Sequence, residues 1–387
     1  MDKEKNERWG TDKMKKILMI CLLVILNGCV NQKPLEELGL ITAVGYDNQD
    51  GMLKGSIIYY EFDPLHPNNT KMVTSLAHTS KGVRQKENLA SSRRLVSGQL
   101  RVAIYGEELA KSGIISIIDT LSRDSEVGTM SYLAVSKPQA YDLLQLSQES
   151  EDVTNAGTFL YDMITQNVEA DSLLSPTLHE FMQCYYSEGR DPVLPLLNFK
   201  DGTIIIEGIS LFQEDKAVGQ LDTSDSFYLK LLLDPFEAGS TEIILPKEKV
   251  NEYILTSNNK QKESVYISLD HLRSDTDIKL LDKQPPSFSI KIKVKSRMQE
   301  ISENYDLGNP EAIKRMEEAI GKEMERQLIQ VLNKSKEMGA DPVGFGNYYR
   351  AKVGYDTFSK EEWKDHYQNA EFKVKIDVEI LRTGVMD

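Results

Sequence analysis

Cys29 carries the most specific chemistry in the chain. It closes Leu26-Asn27-Gly28-Cys29, the order of a lipobox, after an apolar run from Ile17 to Ile25 that follows Lys13, Lys15 and Lys16. A thioether to a diacylglyceryl group needs the cysteine sulfur, and Gly28 supplies the small residue required just before a peptidase cut. The run of about nine residues falls well short of the roughly 20 needed to span a bilayer. It is therefore expected to be a signal segment, 1–28, and not a permanent span. Met1 to Asp12 forms a polar, charge-mixed leader, and Met14 is a second candidate start.

No other pattern points to catalysis. The five histidines (His66, His78, His179, His271, His366) are scattered, and none pairs with a Cys or another His at metal-ligand spacing. Neither a G-x-S-x-G elbow nor a phosphate loop of the G-x-x-x-x-G-K-[ST] type occurs. Gly344-Phe-Gly346 lacks the third glycine of a dinucleotide loop and follows a helix, so a tight turn is expected there. Beyond the lipid no cofactor and no metal is expected. Cys21 leaves with the signal and Cys29 takes the lipid, so Cys184 is left alone, with no intrachain disulfide to form, and reads as a buried helical residue.

Residues 1–28 hold six Lys/Arg and four Asp/Glu, so their removal moves the net charge from −14 to −16. Such a body is repelled by phosphate backbones and anionic headgroups, which excludes nucleic acid as a natural partner. The lipid must then do the holding, and two acyl chains suffice for a stable anchor.

The elements that position these residues alternate between strand and helix. Leu38–Tyr46 and Ser56–Phe62 read as a hairpin, followed by strands near Met72–Thr79, Leu100–Tyr105 and Thr129–Val135. Helix formers fill Val83–Val96, Glu107–Lys111, Ile114–Leu121 and a stretch opened by Pro138. Phe159–Val168 and Leu178–Tyr186 continue as helices until Asp191-Pro-Val-Leu-Pro195 breaks the pattern. Thr203–Phe212 and Lys216–Leu221 flank a tight turn before a short helix at Phe227–Leu233. Strict alternation marks Phe288–Lys295 and Phe372–Ile380 as half-buried strands, expected to be antiparallel members of one sheet. Between them Asn309 and Pro310 open a long helix with an apolar stripe from Ile313 to Leu332, closed by Gly339.

Leu38-Gly39 with Gly45-Tyr-Asp47, Gln99-Leu-Arg101 with Gly106-Glu-Glu-Leu-Ala110 and Gly113, and Asp341-Pro-Val-Gly-Phe-Gly346 stand in an order that resembles the Ger(x)C family. These are lipoprotein components of nutrient germinant receptors in endospore-forming bacteria. The likeness runs over essentially the whole chain after Cys29, to the closing Arg382-Thr-Gly384. One departure is Val30-Asn31, where the family often carries Trp-Asp.

The resemblance implies a non-enzymatic, palmitate-bearing subunit on the outer face of the spore inner membrane. It would act with two integral membrane subunits, A-type and B-type. It also implies a mixed α/β fold of three domains, each a mixed or antiparallel sheet flanked by helices. The expected division is 29–198, then 199–387 with a further break near 285. Gly45, Asp47, Asp341, Gly344 and Gly346 are expected to be fold-defining, the glycines Gly45 and Gly344 as backbone turns and the acids as caps or turn carboxylates. Two other classes compete. A substrate-binding lipoprotein of a transporter would need two similar α/β lobes around a cleft, and a secreted hydrolase would need a catalytic constellation.

Overall fold

Leu40, Ile41, Val44 and Tyr46 give the segment after Leu38 its strand character, and it becomes the first long strand of the computed structural model, which describes residues 34–62, 70–150, 153–256 and 263–383. Strand β1 (Leu38–Gln49) pairs antiparallel with β2 (Met52–Glu61), and β2 with β3 (Thr70–Ala77). Helix α1 (Ser80–Ala90) is capped by the Thr79 hydroxyl and ends before the short strand β4 (Arg94–Val96). The helix expected over Val83–Val96 is thus shorter at one end, because Leu95 is drawn into the sheet beside Gly39.

Two βα units follow. Strand β5 (Val102–Gly106) leads to α2 (Glu107–Ser112) and α3 (Ile115–Ser122), and β6 (Tyr132–Ser136) leads to α4 (Ala140–Glu149), α5 (Ala156–Glu169) and α6 (Leu178–Tyr186). Strands β7 (Val193–Lys200), β8 (Thr203–Gln213) and β9 (Lys216–Asp222) complete a nine-stranded mixed sheet, ordered β3-β2-β1-β5-β6-β7-β8-β9 with β4 beside β1. Its middle strands β1, β5, β6 and β7 run parallel. Every residue of β5 and β6 is buried, as helices on both faces require. Leu143, Leu144, Leu160 and Ile164 of α4 and α5 cover one face. Leu109, Ile118 and Phe181 of α2, α3 and α6 cover the other.

After α7 (Thr223–Leu233) a second sheet is built from β10 (Gly239–Pro246), the short strand β11 (Ile254–Thr256) standing apart, and the long hairpin β12 (Ser264–Lys283) and β13 (Pro286–Ile301). Strand β14 (Asn304–Tyr305) pairs with β11 as a two-stranded ribbon. Helix α8 (Pro310–Glu337), capped by the Asn309 side chain, then α9 (Phe345–Val353) and α10 (Lys360–Gln368) lead to β15 (Glu371–Thr383). The four-stranded order is β10-β12-β13-β15.

Strands β13 and β15 carry the alternation expected of them but are parallel, with Phe288 beside Phe372 and Ile292 beside Ile376. The correction has a simple cause. A helical crossover of about 70 residues returns the chain to the start of β13, and such a return makes neighbours parallel. The apolar face of this sheet receives Met316, Ile320, Met324, Leu328 and Leu332 from α8. Position 198 lies inside β7, and position 285 lies in the turn of the β12–β13 hairpin. No helix among the described residues is long and apolar enough to cross a membrane.

Candidate functional site

A helix that starts on glycine has no side chain to cap it. Helix α9 begins after Gly344, whose φ of +82° places it in the left-handed region, where a β-carbon is strained. Asp341 supplies the missing cap from three residues upstream. One carboxylate oxygen accepts from the N–H groups of Gly344 (2.9 Å) and Phe345 (3.0 Å). The other accepts from Gly346 N–H (2.8 Å) and the indole Nε1 of Trp363 (3.1 Å). Four donors occupy a carboxylate that is 3% exposed, so no lone pair is left for a ligand. Burial pushes this carboxyl up to about 7 against the pull of the three backbone N–H groups, and the nearby Asp191 charge adds to the rise.

Gly346 is required for a different reason. A β-carbon there would stand 2.7 Å from both the Gly189 Cα and the Trp363 Nε1. The chain at 189–191 thus lies directly on α9. Asp191 fastens the contact: its carboxylate accepts from Asp341 N–H and Glu214 N–H, each at 2.9 Å, and its own N–H donates to the Asp341 carbonyl at 2.9 Å. Arg190 Nε donates to the Pro342 carbonyl (3.1 Å), and Gln213 to that of Gly339 (2.8 Å). Glu214 pairs with Lys364 at 2.9 Å. The lead into β7, the β8–β9 turn, the loop after α8 and α10 therefore meet at one junction around buried Asp341. Burial raises Asp191 as well, while its two backbone donors hold it down.

The second predicted group lies elsewhere. Asp47, near the end of β1, accepts from Ala140 N–H (2.7 Å) and Tyr141 N–H (2.9 Å) and so caps α4, whose own N-cap residue, Gln139, makes no side-chain cap. Burial is the larger influence on Asp47 and raises it. Gly45 is not a turn, contrary to the sequence expectation: it sits within β1, and a β-carbon there would meet Leu144 Cδ1 at 2.8 Å and Ala140 Cβ at 3.1 Å. Its smallness lets α4 press against the sheet.

The structure therefore brings Asp341, Gly344 and Gly346 together, and Gly45 with Asp47, as two separate cap sites. Sequence reasoning missed Asp191 and Trp363. A signal existed for the first, since Gly189-Arg-Asp-Pro192 repeats the Gly and Asp-Pro chemistry of Asp341-Pro-Val-Gly344. Cys184 is buried, and burial pushes its thiol up, which suits packing and not nucleophilic attack. Among the described residues no group of three or more His, Cys, Asp or Glu could hold a metal ion. Cys29 and His66 lie outside the described residues.

Two family descriptions match consecutive stretches of the chain. Residues 31–199 match the spore germination protein N-terminal domain, and residues 207–384 match the C-terminal region described as spore germination B3/GerAC like. Spore germination protein GerQC of Bacillus cereus is 27% identical over 373 residues, spanning 96% of this chain and 99% of that protein. Spore germination protein KC of Bacillus subtilis (strain 168) is 22% identical over 406 residues, with 95% of each chain covered. The crystal structure of the GerBC protein is similar in fold, with a TM-score of 0.56 at 16% identity, over 87% of this chain and 96% of that one.

Proposed function

The chain belongs to the GerAC-like spore germination family, and from that premise we propose that it is the lipid-anchored component of a nutrient germinant receptor, needed for assembly or signalling of the receptor complex. Members of this family are not enzymes, and the chain acts through contact. The observation that carries the proposal is the match of both family regions in order, nearly end to end. The lipobox at Cys29 supports attachment to the outer face of the spore inner membrane. The partners are the A-type and B-type integral membrane subunits.

A transporter's substrate-binding lipoprotein is not favoured. It would need two similar lobes, whereas the two large sheets here have nine and four strands in different orders. Two experiments test the proposal. Labelled fatty acid should enter the wild-type protein and not Cys29→Ala, and the variant should leave the membrane fraction. Affinity purification from detergent-solubilised spore membranes should recover both membrane subunits without added nutrient. Calorimetric heat from an amino acid, sugar or nucleoside, with no retained subunit, would overturn it.

A further inference from the structure

Arg315, Lys322 and Arg326 follow one another along α8 at spacings of seven and four, so they share one flank of the helix. Facing them, the end of β10 presents Leu245 and Pro246, and the turn after it brings up Lys249. With Ala319 and two acids these residues line a groove of about 480 Å³. Its apolar surface comes from half-buried Ala319 and the exposed Pro246 ring, with Leu245 buried beneath, and its rim is cationic.

The charges do not cancel. Arg326 is held bidentately by Glu323, at 3.0 and 2.5 Å. Arg315 spends its Nε on the Lys249 carbonyl and stands 3.9 Å from Glu318. Lys249 is 3.6 Å from Glu248. Lys322 is exposed and has no ion-pair partner among the described residues. On a chain of net charge −14 this is a local cationic excess beside apolar surface.

We propose that the groove seats the headgroup of an anionic phospholipid, its phosphate between Lys322 and Arg315 and its first acyl methylenes against the Pro246 ring and Ala319. Size favours a lipid over a protein segment. The volume falls in the range of small-molecule sites, whereas a docked helix needs anchors over two turns or more. The acidic remainder repels an anionic surface, so attraction is confined to this place and orients the body on the bilayer. The contact goes beyond the anchor at Cys29 and does not need it.

The test uses the chain from Cys29 onward, in which Trp363 is the one tryptophan, in non-ionic detergent micelles, with the thermal midpoint followed by Trp363 fluorescence. Dihexanoyl-phosphatidylglycerol should raise the midpoint by several degrees, and dihexanoyl-phosphatidylcholine or inorganic phosphate at equal concentration should not. The double variant Arg315→Glu, Lys322→Glu should weaken the phosphatidylglycerol effect at least ~10-fold while keeping the unliganded midpoint, since both side chains are exposed. Should that midpoint fall, Lys322→Gln alone should still weaken the effect by about threefold. Four results would overturn the proposal: no shift with phosphatidylglycerol, an equal shift with phosphatidylcholine, a full shift with phosphate alone, or a shift that survives both variants. A larger response to a hexaglutamate peptide would assign the groove to a protein partner instead.

Discussion

Glu87 shows how much a single residue can cost this fold. It lies on the buried side of α1, fully inaccessible, and neither carboxyl oxygen has a hydrogen-bond partner. Burial pushes it from 4.5 up to about 8, with Arg84 pulling the other way. The folded chain thus keeps a proton that the unfolded chain releases at lower pH. Stability contributed by Glu87 is full below pH 4.5, declines as pH rises through the window, by up to ~1.4 kcal/mol per unit, and is gone above pH 8. Glu87→Gln should flatten that decline, and urea midpoints measured at pH 5 and pH 9 will show whether it does. At the junction, Gly344→Ala should cost ~1–2 kcal/mol for its positive φ. Gly346→Val should cost ~3 kcal/mol or more, because Gly189 backbone cannot yield the space. A normal midpoint in the Gly346 variant would remove it from the packing argument.

At the scale of elements, α8 protects the open edge of the second sheet. Glu325 accepts from Ile376 N–H at 3.0 Å and Glu317 from Ile380 N–H at 2.8 Å, two edge amides of β15 that no strand satisfies. Gly321 stands between these acids at four-residue spacing, and a β-carbon there would come within 2.7 Å of the Ile376 carbonyl. Helix and edge therefore lie in backbone contact. An unpaired edge is a template for association, and the two glutamates occupy it from within the same chain. Replacing both Glu317 and Glu325 by Ala should accelerate amide exchange at Ile376 and Ile380 and leave the amides of β13 unchanged. The stability cost should be ~1 kcal/mol for each lost bond. Uniform acceleration across the sheet would point to general loosening instead.

For the whole molecule, the consequence is mechanical coupling. One apolar core runs from Ala43 and Leu144 through Leu197, Leu211 and Leu229 to Ile290, Leu328 and Ile376. The nine-stranded sheet also crosses the interval between the two family regions, with Lys200 paired to Thr203 in the β7–β8 hairpin. The Asp191–Asp341 junction then ties the lead into β7 to the loop after α8. Heating should give one transition, with far-UV circular dichroism and Trp363 fluorescence coincident. Asp191→Ala should shift both probes together. Separate midpoints would show that the parts melt independently and that the junction is a hinge.

Local pattern was enough to place much of this chain. Alternating residues in Phe288–Lys295 and Phe372–Ile380, the Asn309-Pro310 helix start and the apolar stripe to Leu332 stand where the sequence puts them, because side-chain periodicity follows from backbone geometry alone. The order of short motifs likewise sufficed to mark the family. Strand direction was out of reach, since an alternating strand reads the same whichever way its neighbour runs; only the crossover through α8, α9 and α10 made β13 and β15 parallel. The roles of Gly45, Asp47 and Asp341 also waited on tertiary structure. Asp47 caps a helix 93 residues away, Asp341 accepts from Trp363, and Gly45 is small because α4 passes over it. A carboxylate's partners and a glycine's neighbours are set by what folding brings beside them, and linear spacing carries no record of that.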